Sequence, residues 1–224
     1  MKTFGTLALW LIMFTSCVKE PESCFDIPKS QVEVYEHVQF NNCSENTEYY
    51  TWYFGNGGAT TVESPSYQYT QSGQYKVTLI CSSKNQKKTS ETSEYITVYG
   101  PSKRYTGSYS AQEDIHYTYL GNYYANTYYS NIYILEKDDY KLYLKGLVNG
   151  RAEDMEAKIN LTDYGKITFN GTVDDIINPD ISYSIFGDGK LQGKMLTLEY
   201  DAFEKENGQS TGIKYNCEVV GNKY

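Results

Sequence analysis

At Tyr50-Thr51-Trp52-Tyr53-Phe54 large aromatic residues occupy alternate positions, and the run stops at Gly55-Asn56-Gly57-Gly58. Side chains on a strand alternate between faces, so Tyr50, Trp52 and Phe54 share one face while Thr51 and Tyr53 take the other. The glycines supply positive-φ positions for a tight hairpin. The same period of two recurs along the chain. Tyr75, Val77 and Leu79 follow the turn at Gly73, and Ile96 and Val98 alternate with Tyr95, Thr97 and Tyr99. Further on come Met155-Ala157-Ile159-Leu161, Leu196-Leu198-Tyr200 and Ile213-Tyr215-Cys217-Val219. Tyrosine, at 25 residues against 8 Phe and 2 Trp, suits pleated, half-buried surfaces. The pattern predicts an all-β protein.

The N-terminus is of another kind. Lys2 precedes an apolar run from Phe4 to Phe14, too short to span a bilayer but suited to a signal-peptide core. It ends in Phe14-Thr15-Ser16-Cys17, and small residues directly before a cysteine resemble a bacterial lipobox. That resemblance implies a signal peptide over 1–16, cleavage before Cys17, diacylglycerol on its thiol and acylation of the new amino group. Such chains exceed the two-signal threshold for stable anchoring, so the expected partner is a membrane surface, held and not spanned. The alternative is an ordinary secretory signal with an incidental cysteine. Residues 17–23 read as a polar tether, and Lys19-Glu20 looks like the surface-export signal of Bacteroidetes lipoproteins; a generic linker is the other reading. The expected location is the outer membrane, at the cell surface.

The formal charge of −8 shows no basic patch able to neutralise phosphates, so no nucleic-acid partner is expected. Of five cysteines, lipidation of Cys17 leaves Cys24, Cys43, Cys81 and Cys217, an even set for an oxidising compartment. Four cysteines allow three connectivities, and spacing does not choose among them. Cys217, in register with Ile213, Tyr215 and Val219, reads as a buried small hydrophobe.

Between residues 24 and 99 the match to a known pattern is close. Tyr50, Trp52, Phe54, Gly55 and Gly57, then Pro65 and Tyr69, then Gly73, Tyr75, Val77, Thr78 and Leu79 fall on the pattern of the polycystic-kidney-disease (PKD) domain. Tyr53 and Asn56 replace the family's two acids, Ser64 its Asn and Tyr67 its His. The resemblance implies an immunoglobulin-like β-sandwich that acts as a spacer or as a protein- and glycan-contacting module. It places Trp52 in the core, weakens any calcium role for the turn, and implies a Cys43–Cys81 disulfide between facing sheets.

Gly100-Pro101-Ser102 marks a boundary. Over 101–224 eight or nine alternating strands are expected, with turns at Asn149-Gly150, Tyr164-Gly165, Gly187-Asp188-Gly189 and Asn207-Gly208. Strands are expected over Tyr105–Ser110, Ile115–Tyr119 and Tyr123–Leu135 among others. An antiparallel up-and-down barrel removes the edges of such a meander; a two-sheet sandwich is the competitor. Tyr105-Thr106-Gly107-Ser108-Tyr109 is similar to the Gly-x-aromatic opening of calycin-like barrels, which implies an interior that is either filled or holds one small ligand. Large inward residues such as Met155, Phe169 and Leu198 favour filling.

No catalytic residues, metal site or cofactor are expected. His37 and His116 stand alone, far apart in sequence. Glu113-Asp114, Asp138-Asp139, Asp174-Asp175 and Asp188 read as turn acids that bond local backbone. Adjacent tyrosines at 123–124 and 128–129 put one of each pair outward. Tyr124 and Tyr129 are the candidate contacts to a protein or glycan partner, with a small apolar ligand inside the barrel as the alternative.

Overall fold

The computed structural model describes residues 19–163 and 165–224. Cys17, with the apolar run before it, lies outside the described residues. The backbone divides into two compact units, one drawn mainly from residues up to Ile96 and one mainly from Thr97 onward.

The first unit is a set of short strands with two long ones. They are β1 (Phe25–Asp26), β2 (Gln31–Glu33), β3 (His37–Gln39), β4 (Asn41–Asn42), β5 (Tyr49–Tyr53) and β6 (Ala59–Thr60), then β7 (Ser66–Gln68), β8 (Gly73–Ser82) and β9 (Thr89–Tyr99). One sheet has the order β2-β9-β8-β5-β6; β3 pairs with β7, and β1 with β4. Trp52, Val77, Leu79 and Ile96 are fully buried, as the period of two requires. Phe25 and Phe40 pack on Trp52 at ring separations of 5.0 and 5.8 Å. The β5–β6 hairpin turns where expected. Gly55 has φ of +80°, and a Cβ there would stand 2.7 Å from the Lys76 carbonyl oxygen, so no other residue fits without movement.

The cysteine pairing differs from the Cys43–Cys81 expectation. Cys24 and Cys43 form the disulfide, with Cα atoms 4.9 Å apart. Cys81 is a buried free thiol 3.2 Å from the Ser44 hydroxyl. The reason lies in β1 and β4: their pairing, Phe25 with Asn42, continues to Cys24, whose carbonyl accepts from the Cys43 N–H at 3.0 Å. The bridge joins neighbouring backbones instead of facing sheets.

The second unit is a closed barrel of eight sequential strands: β10 (Gly107–Tyr119), β11 (Asn122–Asp138), β12 (Lys141–Lys145), β13 (Met155–Ile159), β14 (Lys166–Asp174), β15 (Ile181–Gln192), β16 (Met195–Glu206) and β17 (Gln209–Lys223). Every neighbour is antiparallel, and β17 returns to β10, Tyr117 opposite Tyr215. The sandwich alternative is thereby excluded. The two expected strands over 105–110 and 115–119 are one strand, because Ala111 and Glu113 keep the inward parity of Tyr109 and Ile115. Gly187-Asp188-Gly189 is not a turn but mid-strand in β15. Gly187 faces inward between Phe169 and Tyr200, where a Cβ would lie 2.4 Å from the Tyr200 Cβ. Two glycines in an inward row make room for large neighbours.

The barrel interior is one continuous apolar cluster that includes Met155, Phe169 and Leu198. Before β10 the one-turn segment α1 (Ser102–Tyr105) holds Tyr105, which was expected in a strand. Between β12 and β13 the one-turn segment α2 (Leu147–Gly150) buries Leu147 and Val148 in that cluster.

Candidate functional site

The inward row of β10 runs Tyr109, Ala111, Glu113, Ile115, Tyr117. Antiparallel register puts Tyr128 opposite Glu113 and Tyr124 opposite Tyr117, so both tyrosines of β11 share that inner face. At this end of the barrel Tyr117 stacks on Tyr124 with ring centres 5.0 Å apart. It also meets Tyr215 at 5.2 Å, and Tyr215 meets Tyr183 edge-on at 6.2 Å. Four rings thus form a row from β11 across β10 and β17 to β15. A cleft of about 170 Å³ opens beside them, lined by Tyr117, Tyr128, Tyr183 and Tyr215 with Asn149 and Arg151.

Three buried carboxylates hold this end of the barrel in shape. Tyr183 donates its hydroxyl to Asp175 at 2.7 Å, Tyr215 to Glu204 at 2.6 Å, and Tyr200 to Glu113. Burial pushes the hydroxyls of Tyr183 and Tyr215 above their ordinary range, and their carboxylate partners push the same way, so both stay protonated donors. Burial works against ionisation of Asp175. It is outweighed by the Tyr183 hydroxyl, the N–H groups of Asn178 and Ile177 and the Arg151 guanidinium, and the carboxyl ends below its usual range. Arg151 Nε stands 2.8 Å from Asp175 Oδ2, which fixes the guanidinium at the cleft wall.

Glu113 has no such cation. It is fully buried, and desolvation raises its pKa against the pull of the Tyr200 hydroxyl and the N–H groups of Asn149 and Val148. Asn149 donates to Glu113 Oε2 at 2.6 Å, and the Val148 N–H donates to the Tyr200 hydroxyl at 2.7 Å. To aim two successive N–H groups inward, Val148 and Asn149 take left-handed backbone angles, φ of 54° at each. For a β-branched residue that is a strained conformation, and it persists here because Glu113 and Tyr200 bind both amides.

The sequence-predicted contacts separate. Tyr124 is 39% exposed on the inner face, and Tyr129 is 79% exposed on the outer face opposite Gln112. Their odd spacing of five already implied opposite faces. Trp52, expected in the core, has no exposed surface. Asn56, where the resemblance expected an acid, accepts from the Gly58 N–H and the Tyr67 hydroxyl, each at 3.1 Å. Among the described residues no group of three or more His, Cys, Asp or Glu could hold a metal ion. His116 contacts the Tyr123 hydroxyl at 2.8 Å on the outer face, and His37 is exposed in the other unit.

Sequence reasoning took Glu113 for a turn acid, whereas it lies mid-strand in β10. Asp175 does accept from the nearby Ile177 and Asn178 N–H groups as a turn acid would. Neither it nor Glu113, Glu204 or Arg151 was read as part of one end of the barrel. Parity could have found two of them. Glu113 shares the register of Tyr109 and Ile115, and Glu204 that of Leu198, Tyr200 and Ala202.

The comparisons bear on the first unit. Residues 21–98 match the family described as PKD domain. This part of the chain is a PKD domain. The PKD1 domain of Vibrio anguillarum Epp is 30% identical over 36% of this chain and 94% of its own, at a TM-score of 0.31. Two solved structures extend past the PKD domain. One, described as showing the promiscuous specificity of carbohydrate-binding modules of the β-sandwich superfamily, is 13% identical over 92% of this chain and 93% of its own, with a TM-score of 0.35. The other, a lipoprotein from Bacteroides thetaiotaomicron, is 10% identical over 89% of this chain and all of its own, with a TM-score of 0.36. No curated protein sequence matches the chain.

Proposed function

We propose that the chain is a non-catalytic binding module, tethered to the outer membrane through acylated Cys17 and facing outward. In this reading the PKD domain over 24–99 is a spacer, and the calycin-like barrel over 101–224 contacts a protein or a glycan. The observation that carries the reading is the row Tyr124-Tyr117-Tyr215-Tyr183 at one end of the barrel. Tyrosine offers a rigid apolar face with a polar tip, which serves contacts to protein and sugar rings alike. Three of the four rings line the cleft, and those of Tyr183 and Tyr215 are anchored by buried carboxylates, so little side-chain entropy is lost when a partner docks. Arg151 and Asn149 add a few polar groups to an aromatic wall, the usual composition of a recognition cleft.

A carrier of a small apolar molecule would need a cavity of about 300–1,000 Å³. The core of this barrel is occupied by its own side chains, and the cleft at its end is about 170 Å³. The cleft suits one ring or side chain of a larger partner.

A glycan and protein array probed with the chain identifies the partner. Tyr124→Ser and Tyr117→Ser should each weaken capture at least tenfold while the melting temperature stays close to that of the parent. Tyr129→Ser, on the outer face, should leave capture unchanged. Full binding by Tyr124→Ser would remove the reading. Fatty-acid labelling lost in Cys17→Ala tests the anchor, and protease accessibility on intact cells tests the side of the membrane.

A further inference from the structure

β10 bonds to β11 along the whole stretch from Asn122 to Ile134, but on the other side β12 pairs with β11 only from Tyr133 onward. The α2 turn packs against β11 near Asn131. Among the described residues, no strand pairs with the outer side of Asn122–Ser130. That side is a row of unpaired N–H and C=O groups, a template for another strand. Natural edges are blunted by lysine, proline or a bulge. This one has none of them. No charged side chain occurs from Tyr117 to Leu135, no proline is present, and the β10–β11 register shows no shift.

The edge is also self-complementary. Tyr123-Tyr124-Ala125-Asn126-Thr127-Tyr128-Tyr129 has the same tyrosine pattern from either end, with Asn126 at its centre. An antiparallel pair formed about a two-fold axis at Asn126 sets Tyr123 of one copy opposite Tyr129 of the other on the outer face. On the inner face it sets Tyr124 opposite Tyr128. Ala125 meets Thr127, and Asn126 meets its own counterpart. Directly opposed aromatic pairs stabilise antiparallel strands, and each appears twice by symmetry. A shift of one residue would put Tyr124 opposite Thr127 and keep only Tyr123 opposite Tyr128, halving the number of tyrosine pairs. The chain carries a net charge of −8, which opposes association of copies elsewhere on the surface. The uncharged edge is where that repulsion is weakest.

We propose that two copies of this chain associate through their β11 edges, antiparallel, with Asn126 on the two-fold axis. The partner is a second copy because the segment's symmetry matches itself. The inference does not depend on what the cleft beside Tyr117 binds.

Sedimentation of the full chain over a concentration series should show a mass twice that of the monomer. Ala125→Lys/Thr127→Lys sets lysine against lysine across the axis on exposed positions, and should return the mass to the monomer with an unchanged melting temperature. Asn126→Cys should give a disulfide-linked dimer on oxidation, since two strands in this register bring that residue to its counterpart within bridging distance. Thr127→Cys faces Ala125 and should not cross-link above the parent chain. A parent that stays monomeric, as it would if the edge took a strand of some other protein, overturns the proposal. Equal cross-linking by Thr127→Cys overturns the register.

Discussion

Glu113 shows how much one side chain decides in this barrel. It is fully buried, its pKa is raised by desolvation, and its acceptors are met by the Tyr200 hydroxyl and the Asn149 N–H. Because the folded pKa lies above the unfolded one, the folded state holds the proton longer. Stability is therefore fullest below the ordinary glutamate range and declines as pH rises through the folded pKa. Tyr200→Phe removes the strongest donor to Glu113 and strands the Val148 N–H. The loss should be about 2–3 kcal/mol in urea unfolding, the size expected for buried groups left unpaired. It should be larger at pH 7 than at pH 4, since the unaided carboxylate is harder to ionise. A Tyr200→Phe chain as stable as the parent at both values would show that the network is not needed. Parity could have placed Glu113 inward, but the sequence reading took it for a turn acid. Only the fold placed the α2 amides and Tyr200, 87 residues away, around it.

At the scale of elements, the strands were legible from their period of two and their ends much less so. Alternation named the inward residues of β13, β16 and β17 correctly, except that Leu161 lies past β13 and is exposed. Yet it broke β10 in two at Glu113 and read the glycines of β15 as a turn. Both errors have one cause: a strand was expected to carry apolar residues inward, whereas a closed barrel also accepts a satisfied acid or a gap. Gly187 is such a gap. Gly187→Ala would drive a methyl into the Tyr200 Cβ, the Glu199 carbonyl oxygen at 2.6 Å and Phe169 Cζ at 2.8 Å. Neither the backbone nor the clasped Tyr200 can step aside, so the barrel should lose about 3 kcal/mol, near the upper end for overpacking. A thermal shift of less than a degree or two would show that the sheet flexes there instead.

The whole molecule joins a sandwich with a disulfide to a barrel without one. Cys24 and Cys43 close a loop over a separation of 19 residues, and on loop length alone the bridge stabilises by about 3 kcal/mol. Cys24→Ser/Cys43→Ser should therefore lower the unfolding transition of the sandwich and leave that of the barrel in place. Calorimetry with two resolved transitions reads this directly; a common shift of both would mean that the units unfold as one. The PKD domain, the all-β class and a meander of eight or nine strands were determined by the sequence itself, while closure into a barrel of eight was not. Local alternation, turn glycines and a motif of twelve matching positions are short-range facts that a chain carries in its order of residues. The cysteine pairing, the separation of Tyr124 from Tyr129, the clasped tyrosines and the open edge of β11 were decided by the tertiary structure alone. Each depends on strand register and on which backbones lie side by side, and register is set by the packing of the closed barrel and sandwich, not by neighbours along the chain.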